Sequence, residues 1–309
     1  MTRCLLLLAI ILLAAACRPA PVIDEPIPES PLLGPGIYQV STGKALDIDE
    51  LHGFLAPVRF VIVGETHTDI WHHEVQGKIY AALVKGSEGP VALGMEMFQQ
   101  LFQDVLDAYV AGEIDEEGML DATKWVDRWG FDAEPLSPMW RLARERGYPV
   151  VVLNIPRERV RRVGQVGVEG LDDDERALLP EMDLTNEAYR EAMRQSFAHH
   201  GIEDEDRAES FYQAQVLWDE AMAERAVDFM NEHPHVEMMM IVAGRGHVER
   251  GWGIPSRIER RVDGEDEVVT IIPVTIDAPH QQDLRNLEYL QREEIADYVW
   301  VGRQTRFLD

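Results

Sequence analysis

The chain has 309 residues, 46% of them hydrophobic and 28% charged, a balance that buries a large core and argues against a disordered or fibrous polymer. Its formal net charge is −27, from 29 basic against 56 acidic residues, so it offers no broad basic field for nucleic acid, and the acid surplus reads as solubility. The two cysteines, Cys4 and Cys17, both lie at the N-terminal end, so the folded part must hold without disulfide staples.

In chain order, Arg3 precedes an apolar run over 5–13, which passes through Ala14-Ala15-Ala16 to Cys17. This is a signal peptide over 1–16 whose end resembles a bacterial lipobox. Cleavage before Cys17 and acylation of its sulfur, with palmitate-type chains, would anchor the protein to a membrane rather than thread it through one. An ordinary cleaved signal or a retained anchor helix is the alternative. Arg18 stands where an aspartate would signal inner-membrane retention, so the expected location is the outer membrane, facing the periplasm. Residues 17–35 are dense in proline and read as an extended tether. Folding is expected from Gly36, giving one α/β domain over 36–309.

Continuous apolar runs of strand length then recur at 58–63, 91–97, 150–153, 238–242 and 268–274. Strands without polar alternation are those covered on both faces, and stretches of helical period between them serve as crossovers. The pattern predicts an α/β fold, a mainly parallel sheet flanked by helices. Phe98, Leu101, Phe102, Val105 and Leu106 recur at helical spacing, which makes 98–145 helix-rich. The interval from Leu153 to Met238 is too long for one crossover and reads as a smaller helical lobe, roughly 157–230.

Polar groups gather where the runs end, the place where open α/β sheets build their sites. The first run closes on Gly64-Glu65-Thr66-His67, and Thr68 or Asp69 is the expected N-cap of a helix carrying His72, His73 and Gln76. His72 and His73 project about 100° apart, so just one can share the direction of His67; His73 and Gln76, three apart, share a face. Glu96 sits inside the second run, where a carboxylate is costly unless paired, and His67 or His247 is its natural partner. Asn154 ends the third run. Arg157, Arg159, Arg161 and Arg162 follow, either as an anion cradle or as a solvated face balanced by acids.

The fourth run ends Gly244-Arg245-Gly246-His247, whose glycines let the backbone turn tightly near a ligand. Together Glu65, His67, Glu96 and His247 form either a divalent-metal set or a metal-free acid/base set, and spacing does not choose between them. Further along, Phe211, Ala214, Leu217, Trp218, Ala221 and Met222 make one apolar helical stripe of the kind that packs into a core. Gln215, Asp219 and Glu224 are expected to turn toward the strand-end site.

In this order, Gly64-Glu65-Thr66-His67 with His72, His73 and Gln76, Gly94-Met95-Glu96-Met97-Phe98, Asn154-Ile155-Pro156-Arg157-Glu158, the segment from Tyr212 through Asp219 to Glu224, and Ala243-Gly244-Arg245-Gly246-His247 with Gly253-Ile254-Pro255 resemble the ChaN-like haem-binding lipoproteins. These are relatives of the Tiki proteases and, more distantly, of the erythromycin esterases. The resemblance covers roughly 36–278. It implies a lipoprotein that binds haem in iron uptake, as a homodimer with tyrosine on the iron. Tyr189 and Tyr212 are the candidate ligands, each equally readable as a packed tyrosine with its hydroxyl satisfied. His199 and His200 are further candidates for the iron or the propionates, and Arg157 with its neighbours could supply cations to the propionates.

The alternative is a hydrolase of the Tiki or esterase kind. Glu65 or Glu96 would be general base, His67 and His247 would hold a metal or polarise water, and Arg245 would steady an oxyanion. The resemblance favours a binding protein; the buried acid/histidine set favours the enzyme.

Overall fold

The computed structural model describes residues 32–55, 58–199, 201, 202, 204–262 and 267–303. The signal segment, Cys17, most of the tether and His200 lie outside the described residues. Eight strands are present: β1 (Gly36–Gln39), β2 (Ala45–Leu46), β3 (Phe60–Glu65), β4 (Val91–Gln99), β5 (Val150–Asn154), β6 (Met238–Gly244), β7 (Val268–Thr275) and β8 (Tyr298–Gly302). They form one sheet in the order β2-β1-β8-β7-β3-β6-β4-β5. From β8 to β5 every neighbouring pair is parallel, whereas β1 runs antiparallel to both β8 and β2. The fold is thus α/β with a mostly parallel sheet, and the five apolar runs are its contiguous strands β7-β3-β6-β4-β5, with β5 at the edge.

The helices are α1 (Ile48–Leu55), α2 (Ile70–Gly86), α3 (Gln103–Val110), α4 (Glu116–Ala122), α5 (Trp125–Arg128), α6 (Ser137–Arg146), α7 (Arg157–Val166), α8 (Asp173–Arg176), α9 (Glu187–His199), α10 (Glu205–Glu232), α11 (Ile254–Glu259) and α12 (Leu287–Arg292). Val61 and Val63 of β3 face a core built with Leu51, Val75, Ile79, Leu83, Leu106 and Trp140, so α1, α2, α3 and α6 cover that side. Phe60 and Ile62 face the opposite core, with Met222, Ala226, Phe229, Ile258 and Leu290 from α10, α11 and α12. Because both faces are covered, alternate residues are equally apolar, which is why these strands read as unbroken runs.

The long helix α10 spans about 42 Å at the usual helical rise. Its first half packs Ala214, Leu217 and Ala221 against Val160, Val163 and Leu171, and sets Tyr212 and Val216 beside Tyr189. Its second half covers the sheet, so one rigid element joins the smaller helical packing to the body.

A carboxylate and imidazole site at the strand ends

The site occupies the carboxyl ends of β3, β6, β4 and β5, four strands adjacent in the sheet. At Gly64 a Cβ would meet Ile272 Cδ1 of β7 at 2.6 Å, so any larger residue would displace that side chain. Gly244 has a different reason: a Cβ would stand 2.8 Å from His67 Cε1, so the missing side chain lets the His67 ring lie over the end of β6. Asp69 is the N-cap of α2, accepting from the Trp71 N–H at 3.0 Å, while its other oxygen accepts from the Thr275 hydroxyl at 2.6 Å. That pair ties the start of α2 to β7 and sets where the helical histidines fall.

Glu65 is buried, at 1% exposure. His67 Nδ1 donates to its Oε1 at 2.8 Å, Gln76 Nε2 donates to Oε2 at 2.9 Å, and His73 Nε2 stands 3.3 Å from Oε2. Burial by itself would raise the Glu65 pKa, but the imidazoles of His67 and His73 outweigh it and hold the carboxyl well below the usual range. His73 and Gln76 therefore share a face as their spacing requires, and His72 points elsewhere. The Thr66 N–H donates to His72 Nδ1 at 2.9 Å, and His72 Nε2 lies 3.3 Å from Gln281 Oε1.

Glu96 sits where the β4 and β5 register shifts between Met95 and Gln99, an irregularity of the kind that re-aims a side chain. Asn154 Nδ2 holds that bend by donating to the Glu96 carbonyl at 2.9 Å. The Glu96 carboxylate accepts from the Gly244 N–H at 2.6 Å and stands 3.6 Å from His247 Nε2. His247, one of its two predicted partners, is thus in ion-pair range. His247 Nδ1 in turn donates to Asp219 Oδ1 at 2.6 Å, and Gln215 Nε2 lies 2.9 Å from the same nitrogen. Gln215 and Asp219 thus reach the site from α10. Glu224 does not: burial raises its pKa, with Arg261, Asp228 and Glu220 as its charged neighbours, because a residue five beyond Asp219 has rotated off that face.

The four predicted residues Glu65, His67, Glu96 and His247 are brought together. Among the described residues no group of three or more His, Cys, Asp or Glu is placed to hold a metal ion. Both Glu65 oxygens and one Glu96 oxygen accept from protein donors. Arg245 is 1% exposed and its Nε is paired with Glu249 at 2.7 Å.

The candidate haem residues fall outside this cluster, with one exception. Tyr189 is 3% exposed and its hydroxyl donates to Asp219 Oδ2 at 3.0 Å. Tyr212 is 1% exposed, donates to the Asn186 carbonyl at 3.3 Å, and is pushed up to about 12 by burial. Burial likewise raises the Tyr189 pKa well above its ordinary value. Both hydroxyls are thus buried and engaged with protein acceptors. His199 is exposed at the end of α9, its Nδ1 2.9 Å from the Gln195 carbonyl.

Arg157 Nη1 donates to the Asp127 carbonyl at 2.6 Å, Arg159 Nη1 to the Leu178 carbonyl at 3.0 Å, and Arg162 pairs with Glu175 at 2.8 Å. The acid-balanced alternative describes Arg162, and Arg157 through Glu158 at 3.7 Å, whereas Arg159 is held by a backbone carbonyl. Arg157, together with the Arg128 bond to Gln99, pins the segment that sequence reasoning missed. That segment lays Trp129 edge-on against His67, with ring centroids 4.8 Å apart, and Phe131 at 5.8 Å. The aromatic spacing of Trp125, Trp129 and Phe131 was the available signal; for Gln281 there was none.

A mostly parallel α/β sheet whose strand ends collect carboxylates and imidazoles beneath helices is the class this geometry defines. Residues 53–258 match the family of haem-binding uptake proteins, Tiki superfamily, ChaN, and the chain belongs to that family. The fold is similar to the solved structure of ChaN of Campylobacter jejuni, described as showing cofacial haem binding, with a TM-score of 0.64 and 17% identity over 85% of this chain and 95% of that one. A mutant of the erythromycin esterase EreC in its open conformation is more remote, at a TM-score of 0.44 and 14% identity over 78% of this chain and 77% of that one. In sequence, the chain is 24% identical over 228 residues, 70% of its length, to Protein RETICULATA-RELATED 5, chloroplastic, of Arabidopsis thaliana, and it spans 29% of that protein.

Proposed function

We propose that this protein binds haem, as a lipid-anchored envelope lipoprotein serving haem and iron uptake. The observation that carries the haem reading is the family match, which spans the strand-end site and most of the surrounding helices. Anchoring through Cys17, the outer-membrane location and the homodimer rest on the sequence and its resemblance; among the described residues no helix is long and apolar enough to cross a membrane. For the iron, His199 is the best-placed candidate. Its Nδ1 faces the Gln195 carbonyl and so carries the proton, leaving Nε2 with the lone pair, the disposition metal-binding histidines adopt. Bound haem would supply a redox-active iron; the chain would bind and shelter it.

The test is an absorbance titration of haemin into a soluble form lacking residues 1–17. A saturable Soret change at fixed stoichiometry, weakened by His199→Ala, is expected; no saturable change sinks the reading. Cys17→Ser in the full chain should move it from the membrane to the soluble fraction.

A second reading is favoured by one observation. Two acid and imidazole pairs, Glu65 with His67 and Asp219 with His247, meet around Gly244 with Glu96 between them. That arrangement suits a metal-free hydrolase in which Glu96 and the two imidazoles manage the proton of a water. Glu96→Gln should then abolish ester or peptide hydrolysis while haem affinity stays within error; equal loss of both would show that the sites are not separate.

A further inference from the structure

The hydrogen-bond chain does not end at His247. Asp219 projects from α10 with 0% exposure, and both of its carboxylate oxygens are occupied, Oδ1 by His247 Nδ1 at 2.6 Å and Oδ2 by the Tyr189 hydroxyl at 3.0 Å. The donors come from the turn after β6 and from α9, so three separate elements fix one carboxylate. We propose that Asp219, backed by Tyr189, is the positioning residue of the strand-end site, holding His247 as its Nδ1–H tautomer with an unprotonated Nε2 facing Glu96. The chemical purpose of that arrangement rests on the hydrolytic reading; the arrangement itself does not.

The tautomer follows from what each alternative would leave behind. With the proton on Nε2, the Nδ1 lone pair would face an anionic oxygen at 2.6 Å in a buried site, and the carboxylate would lose a charge-assisted bond. Gln215 Nε2 stands 2.9 Å from the same nitrogen and, being a donor, would favour a lone pair there, but the shorter, charge-assisted contact to the Asp219 carboxylate at 2.6 Å outweighs it and keeps the proton on Nδ1. Tyr189 has its own choice, between Asp219 Oδ2 at 3.0 Å and the Gly246 carbonyl at 3.3 Å, and the charged, nearer acceptor takes the proton. The high pKa that burial gives Tyr189 keeps it a donor.

Trp218 closes the remaining side, edge-on to the imidazole with centroids 6.0 Å apart. Nε2 points at the Glu96 carboxylate, 3.6 Å away, where the proton of a water or a reacting hydroxyl could be shared between the two groups. Tyr189 is then engaged, through Asp219, as a support for His247. It also makes α9 and α10 part of the site, since a shift of either would release the imidazole.

The experiment is nitrogen NMR on histidine-labelled full-length protein, with His247 assigned by comparison with His247→Gln. Long-range couplings report which ring nitrogen carries the proton. In the unmodified chain the proton should sit on Nδ1; in Asp219→Asn it should move to Nε2, because the amide can donate to Nδ1. A proton on Nε2 in the unmodified chain, or an unchanged ring in Asp219→Asn, would overturn the proposal. Should Asp219→Asn fail to fold, Tyr189→Phe removes one hydroxyl and should still shift the His247 ring signals; a merely packed tyrosine would leave them in place.

With 4-nitrophenyl acetate as probe, Asp219→Asn should lower kcat by up to roughly 10,000-fold with KM little changed, as for other carboxylates that orient a catalytic imidazole. A rise in KM accompanying the fall in kcat would point to disturbed binding and count against positioning. If the unmodified protein hydrolyses nothing, the hydrolytic reading falls, while the ring couplings of His247 still decide the role of Asp219.

Discussion

Glu65 and Glu220 are both carboxylates cut off from solvent, at 1% and 0% exposure, and the chain stabilises them in opposite ways. Glu65 is held by His67, His73 and Gln76, two imidazoles and a neutral amide, with no guanidinium among them. Glu220 is clasped by Arg257 at 3.3 Å and by Arg260 and Arg261 at 2.8 Å, with the Asp183 N–H donating at 2.9 Å. Guanidinium keeps its charge at every pH the fold survives, so the Glu220 cluster is a fixed latch joining α10, α11 and the segment before α9. Burial of charge by itself does not mark a site. What separates the two carboxylates is whether their partners can titrate.

The largest effect should come from breaking the latch. Glu220→Ala leaves three arginines facing one another, one of them at 3% exposure, and removing one partner of a buried ion cluster costs about 3–5 kcal/mol. Urea denaturation should show a lower midpoint at unchanged slope; a loss under about 1 kcal/mol would mean that the arginines find other acceptors and that the latch is weak.

A smaller effect should appear around Glu65 as a pH dependence the latch lacks. Burial, reinforced by the Arg245 charge, pushes the His72 imidazole down to about 4, against the pull of Asp69 and Glu65. The unfolded chain takes up this proton near 6.5, so between about 6.5 and 4 it binds one proton more than the folded chain. Stability from this residue is complete above about 6.5 and falls as pH drops through the window, by ~3 kcal/mol in all. Denaturation midpoints at pH 8, 6.5 and 5 should trace the fall. His72→Asn, which still offers an oxygen to the Thr66 N–H, should flatten it, and an equal slope in both proteins would assign the effect to other histidines.

How much of this was legible in the chain follows the same physics. β3, β4, β5, β6 and β7 were readable because each is covered on both faces and carries no polar alternation. β1, β2 and β8 were missed: two are four residues or fewer, and β8, Tyr298-Val299-Trp300-Val301, alternates aromatic with aliphatic residues and matches no continuous run. Glu65, His67, Glu96 and His247 were legible because strand ends in a parallel sheet collect at one edge. The Glu220 latch was not, since its partners lie about 40 residues away in sequence among arginines that look like an ordinary charged helix end. Trp129 lies against His67 in a segment that Arg157 and Arg128 tie down from a distance, so its aromatic spacing hinted at a cluster but not at what the cluster would meet.

The smallest expected effect supplies the comparison's third member. Arg162 and Glu175 form a bidentate pair with distances of 2.8 and 3.3 Å, geometry as good as any contact to Glu220. Their side chains remain 42% and 34% exposed, so water already solvates both charges and salt screens them. Arg162→Ala should leave the thermal midpoint unchanged within error, at low salt and at 0.5 M sodium chloride alike, whereas Glu220→Ala should be destabilised in both. A clear salt-dependent loss in Arg162→Ala would show that the α7 and α8 contact is held by charge after all, and that exposure is a poor guide to which ion pairs support this fold.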